Sequence, residues 1–180
     1  MLLVAGVVLL ASCSSGPQGP VHIEPAGAEQ FDFVDHFASG TINSQVAAAT
    51  PTGRGVISLT WPNAREKTKS VTVLATYRYT FKDVPVAPGA RLQFVAAKPY
   101  SMGDGVRAFV DVVDAGVTKR IFEAVLPIAL NNVPAWKAVS LPLDAYANKR
   151  VAFVFGADAL PTDARAAWAA FGEPQIDGPK

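Results

Sequence analysis

The sequence predicts an all-β fold, an antiparallel two-layer sandwich of about nine strands, and three features carry that prediction. Apolar and polar residues alternate with period two in segment after segment. Beyond the N-terminal region no stretch sustains a helical period. Of the 14 prolines and 14 glycines, most fall outside the alternating segments, where turns need them.

In chain order, the first strand is expected at Phe31–Phe37 and the second at Val56–Trp61. The polar run Arg65-Glu66-Lys67-Thr68-Lys69 reads as a solvated loop. Val71 to Lys82 is the clearest alternation: Val71, Val73, Ala75, Tyr77, Tyr79 and Phe81 share one face, and Thr72, Leu74, Thr76, Arg78, Thr80 and Lys82 the other. It predicts one long half-buried strand. Arg91–Ala96 places Leu92 and Phe94 together and reads as the next strand. Val106–Val113 and Val117–Leu126 flank Asp114-Ala115-Gly116, a three-residue connection with glycine where a left-handed backbone is usually required, which predicts a hairpin. Trp136–Leu143 is a further strand, followed by a short turn Ala145-Tyr146-Ala147 that Asp144 caps and Asn148 ends. Val151–Phe155 and Ala167–Ile176 complete the set.

A length of 180 residues suits one well-buried domain. With half of the residues hydrophobic, 17% charged and a net charge of +1, the composition argues against nucleic acid as a partner. The single cysteine excludes an internal disulfide framework. A Cys/His metal site would need Cys13, His22 and His36, all near the N-terminus, and is rejected. No cofactor is expected.

Leu2 to Ala11 is an uncharged apolar run, far shorter than the roughly 20 residues a membrane-spanning helix needs. It fits the apolar region of an export signal. Its end, Leu10-Ala11-Ser12-Cys13, resembles the lipobox of bacterial lipoproteins, in which an aliphatic and two small residues precede the modified cysteine. The resemblance implies diacylglyceryl transfer to the Cys13 thiol, cleavage before it and often acylation of the new amino terminus. Two or three chains give a stable anchor where one binds only marginally. The competing reading, a buried thiol in a core helix, leaves the position of Cys13 after such a run unaccounted for. Signals of this kind normally open on Lys or Arg, whereas Leu2 follows Met1 directly, which points to a start upstream or a clipped chain. Ser14 to Pro20 is polar and rich in Gly and Pro, as a tether should be. The expected organisation is a signal peptide over 1–12, a lipidated tether over 13–28 and one domain over 29–180. The expected location is the bacterial cell envelope, on its periplasmic or surface side.

Two segments carry a second resemblance. Trp136-Lys137-Ala138-Val139-Ser140-Leu141-Pro142-Leu143-Asp144-Ala145-Tyr146-Ala147-Asn148-Lys149-Arg150-Val151-Ala152-Phe153 is similar to the strand, turn and strand of galactose-binding-like jelly-roll domains, which include carbohydrate-binding modules. Trp168-Ala169-Ala170-Phe171-Gly172-Glu173-Pro174-Gln175-Ile176 resembles their closing strand, with Ala167 where they commonly carry aspartate and Phe171 where they carry a second tryptophan. Phe31-Asp32-Phe33-Val34-Asp35-His36 is similar to their opening strand. The resemblance implies a jelly roll. It leaves the ligand open, because such folds serve glycan, protein and lipid recognition alike. Trp136, Tyr146, Trp168 and Phe171 read first as core, since large aromatics dominate sandwich interiors.

No motif for catalysis is present: there is no nucleophile elbow, phosphate-cradling loop or His-Glu-x-x-His, and neither His22 nor His36 has a catalytic context. The acidic pairs Asp32 with Asp35 and Asp111 with Asp114 read as solvated or capping groups. The chain is therefore expected not to be an enzyme. Ligand recognition has a modest residue basis in Ala97 to Gly105, where Tyr100 can stack on an apolar sugar face while Asp104 and the following Arg107 hydrogen-bond hydroxyls. A plain strand connection is the competing reading of that loop. Trp61-Pro62-Asn63 and Asn131-Asn132 rank second, and a structural calcium would need converging oxygens that sequence cannot place. The expected function is envelope-anchored recognition of glycan or cell-wall polysaccharide. The alternative is a structural or assembly factor that binds another envelope protein.

Overall fold

In the computed structural model, which describes residues 27–44, 56–62, 67–129 and 133–179, eleven strands form two antiparallel sheets packed as a sandwich. They are β1 (Glu29–Asp32), β2 (Thr41–Ser44), β3 (Val56–Pro62), β4 (Lys67–Leu74), β5 (Tyr77–Val86), β6 (Arg91–Ala97), β7 (Val106–Asp114), β8 (Val117–Leu126), β9 (Lys137–Pro142), β10 (Lys149–Ala159) and β11 (Trp168–Asp177). The six-stranded sheet runs β3-β4-β11-β6-β9, with β1 also on β11, and the five-stranded sheet runs β2-β5-β10-β7-β8. Among the sequence expectations, the apolar run with Cys13, His22, Asn63 and Asn131-Asn132 lie outside the described residues.

The all-β sandwich is as the alternation predicts, but the strand count rises from nine to eleven for two physical reasons. The segment Val71–Lys82 is not one strand. The chain turns at Thr76, whose φ is +75°, and passes from the six-stranded sheet to the five-stranded one. Its alternation survives the crossing, because the apolar face of β4 (Val71, Val73) and that of β5 (Tyr79, Phe81) both point between the sheets. The second addition is β2, whose Thr-Ile-Asn-Ser carries little hydrophobic signal.

The first strand also ends earlier than expected. At Asp32 the side chain turns back to accept the backbone N–H groups of Val34 and Asp35, at 2.6 and 3.0 Å, and breaks the extended run. A short 3₁₀ turn, Phe37–Ser39, follows. Of the polar run at 65–69, residues 67–69 belong to β4 rather than to a loop, and Thr68 is buried.

The β7–β8 hairpin closes on two residues, Ala115 and Gly116, with φ of +48° and +82°, a turn whose twist matches that of the strands. After β9, Asp144–Tyr146 form the expected 3₁₀ turn. Asp144 is its first residue and makes no side-chain cap bond; the cap position belongs to Leu143. Asn148 ends the turn in the left-handed region, at φ +61°.

Between the sheets, edge-to-face phenylalanines form a continuous chain: Phe33 to Phe155 at 5.0 Å, Phe155 to Phe171 at 5.1 Å, Phe171 to Phe94 at 5.7 Å and Phe94 to Phe122 at 5.0 Å. Phe171 and Tyr146 belong to this core, as the sequence predicts. Trp136 is also buried, as the sequence predicts, but with Val95, Ala97 and Ala170 in a second, smaller core cluster. Trp168 is the exception. Because Ala169 and Phe171 point inward, Trp168 shares the opposite face of β11 with Ala170 and is only half-buried.

Candidate functional site

Strand register fixes two distinct ends. Glu29 pairs with Asp177, and Ala28 accepts the Gly178 N–H at 2.8 Å, so the chain enters the domain at the C-terminal end of β11. At the opposite end, where β11 starts, Ala97 pairs with Ala170 and Val106 with Ala159. The loops following β6 and β10 therefore meet there. Ten residues of β11 separate the two ends, about 30 Å at 3.3 Å per residue.

A buried lysine joins these loops. Lys98 is fully buried, and its Nζ donates to three backbone carbonyls: Met102 at 2.6 Å, Ala166 at 2.8 Å and Tyr100 at 3.2 Å. Burial pushes its ammonium below the usual lysine range, and the neighbouring Asp163 carboxylate opposes that shift. Further bonds reinforce the junction. The Asp104 N–H meets the Asp163 carbonyl at 3.4 Å, and the Ala129 N–H meets that of Tyr100 at 3.3 Å. Asp163 is held by Arg165, which donates from Nη2 at 2.7 Å, from Nε at 3.0 Å and from its backbone N–H at 3.0 Å. These bonds keep its carboxyl at about 2, well below the usual carboxylate range.

Tyr100 and Asp104 thus sit on one cross-linked loop, Tyr100 half-buried and Asp104 exposed, with the exposed Met102 between them. Arg107 stands apart from them. It lies on the outward face of β7, where its Nε faces Glu123 Oε1 at 3.8 Å, and it makes no hydrogen bond or ion pair with Asp104.

That outward face carries a second feature the sequence reading missed. Phe109 is fully buried although it points away from the core, because Arg120 lies over its ring at 3.8 Å and Arg78 at 4.4 Å from the centroid. Acidic partners fix both guanidinium groups. Arg78 bonds Asp158 at 2.7 Å, and Arg120 bonds Asp111 at 2.8 Å and also Glu123. The hydrogen bonds that Arg120 donates to Asp111 are the main reason that the pKa of its guanidinium is raised further above the ordinary value. Around Phe109, Arg78, Arg107 and Arg120 thus stand beside the carboxylates of Asp111, Glu123 and Asp158.

Among the described residues no three His, Cys, Asp or Glu side chains are placed to hold a metal ion. A mostly apolar cleft of about 470 Å³ opens at the other end of the domain beside Gln30, Ala87 and Arg150. Its cations are already engaged: Lys149 with Asp114 at 2.6 Å and Arg150 with the Asp83 carbonyl.

The sequence did contain a signal for Lys98. Leu92, Phe94 and Ala96 fill alternate core positions, and Lys98 is the next in phase, so a cation falls where burial is expected. Nothing comparable marks Phe109, whose setting depends on side chains from two other strands, β5 and β8.

No protein-family model matches the chain, and no curated protein matches it. Solved structures do resemble it in fold. The K3 cleaved adhesin domain of Lys-gingipain from Porphyromonas gingivalis superposes with a TM-score of 0.58 at 12% identity, covering 84% of this chain and 100% of that one. The K1 cleaved adhesin domain of the same protein gives 0.51 at 13% identity, over 79% and 92% of the two chains. TmCBM61, solved in complex with β-1,4-galactotriose, gives 0.54 at 12% identity, over 83% and 98%. The shared property is the β-sandwich fold.

Proposed function

We propose that this protein is a non-catalytic recognition module of the bacterial envelope, lipid-anchored through Cys13, whose loop end takes glycan of the cell-wall polysaccharide class. The observation that carries the reading is the polarity of the domain: the chain enters at one end of β11 and the cross-linked loops lie at the other. A domain tethered by its N-terminus presents such an end away from the membrane. Tyr100 supplies an aromatic surface and Asp104 an acceptor, with Arg107 as a donor at the margin of the adjoining sheet face. The fold likeness to adhesin domains and to a module seen holding an oligosaccharide supports recognition over catalysis.

A single half-buried aromatic with a few hydrogen bonds gives modest affinity, but loops already fixed lose little entropy on binding. Display of many copies on a membrane then raises avidity without new contacts. The test is titration of the soluble domain, and of a multivalent display of it, against cell-wall polysaccharides and a glycan array, with Tyr100→Ala and Asp104→Ala of confirmed stability. Binding lost in both variants is the expected result. Strong binding indifferent to both moves the site elsewhere, and no glycan binding in the multivalent format favours an envelope-protein partner. For the anchor, Cys13→Ser abolishes metabolic labelling by a fatty-acid analogue; equal labelling of the variant overturns it.

A further inference from the structure

We propose that Lys98 is an internal latch, a positioning residue whose ammonium holds the loops after β6 and β10 together as one rigid platform. The match of chemistry is complete. An ammonium group has three N–H donors and no acceptor, and the three oxygens it meets are all carbonyls, from Tyr100 and Met102 on one loop and from Ala166 on the other. Bonds from a charged donor are stronger than neutral ones, and burial strengthens them further.

The backbone on both sides is shaped to the lysine. Gly103 has a φ of +79°, and a Cβ there would overlap the Arg165 carbonyl oxygen and approach that of Asp163 at 3.0 Å, so the loops meet closer than a side chain allows. Ala166 also sits in the left-handed region, at φ +46°, while its carbonyl accepts the Lys98 ammonium. A non-glycine residue keeps that conformation only where its surroundings compensate, and the Lys98 bond supplies compensation. The consequence for glycan capture rests on the function proposed above; the latch itself does not.

Amide hydrogen exchange separates the two. Lys98→Met keeps an unbranched side chain as far as the ε position and removes every donor. The Asp104 amide, which bonds Asp163 across the two loops, and the Ala129 amide, which bonds Tyr100 from the segment after β8, are expected to exchange about tenfold faster or more, while Phe155 amide protection in β10 stays close to wild type. In Lys98→Ala, propylammonium replaces the missing atoms and is expected to restore that protection, whereas 1-propanol, with one donor and no charge, is not. Wild-type exchange at Asp104 and Ala129 in Lys98→Met, or equal effects of propylammonium and propanol, overturns the latch. If Lys98→Met fails to fold, recovery of the Lys98→Ala domain by propylammonium decides for it and failure of that recovery against it. Loops loosened in Lys98→Met in a protein that binds no glycan would leave the latch standing and remove the proposed function.

Discussion

The ring of Phe109 lies across the backbone of its cross-strand partner Gly156, so that a Cβ at Gly156 would overlap the ring and come within 2.9 Å of Arg78 Cδ. Glycine in a central strand ordinarily weakens it, and here its bareness makes room for the aromatic that both arginines cover. Gly156→Ala is therefore expected to destabilise the domain by about 1–3 kcal/mol through overpacking. The same substitution in a Phe109→Leu background should cost measurably less. A thermal or denaturant double-mutant cycle reads the coupling, and additive costs would show that ring and glycine act independently.

Stability should also separate the two aromatics of β11. Phe171, fully buried and in contact with Phe94 and Phe155, is expected to lose about 3–5 kcal/mol on truncation to alanine. Trp168 is the larger residue but half-buried on the outer face, so Trp168→Ala should cost only about 1–2 kcal/mol. Chemical denaturation of the two variants ranks them, and a greater loss from Trp168→Ala would contradict the placement.

The same pair shows what the sequence made legible. Alternation located nearly every strand, because burying one face of a strand requires period two whatever its neighbours are. It could not say to which sheet a strand belongs: β4 and β5 read as one element because their inward faces stay in phase across the turn at Thr76. Nor could size alone say which face Trp168 takes. At the candidate site, Tyr100 and Asp104 were visible as an aromatic and an acid in a glycine-bearing loop. The features that organise their surroundings come largely from partners distant along the chain: Ala166 is 68 residues from Lys98, and Arg78 reaches Phe109 from β5.

Tyr146 gives a different kind of test. Its ring packs in the core, but its hydroxyl is buried without a hydrogen-bond partner, and burial raises its pKa above the usual phenol value. Removing that oxygen takes away an unsatisfied polar group at almost no loss of volume. Tyr146→Phe is expected to leave the melting temperature unchanged or raise it. A loss above about 1 kcal/mol would mean that the hydroxyl makes a stabilising bond.

The loop end should carry an acid signature. The Asp163 carboxyl, held by Arg165, lies at about 2 against an ordinary 3.8. A carboxyl whose folded value is depressed binds fewer protons folded than unfolded, so its contribution is fully present above about pH 4 and is lost as pH falls towards about 2. Asp163 should therefore stay ionised in the folded domain at pH 3, where an unperturbed aspartate is mostly protonated. Carbon-detected NMR titration of the side-chain carboxyl reads this directly. In Arg165→Gln the midpoint should move up towards the ordinary value, because the charged donor is gone while the backbone N–H of residue 165 still bonds Oδ1. An Asp163 midpoint near 3.8 in the wild-type domain, or one unmoved by Arg165→Gln, would show that Arg165 does not hold the carboxylate.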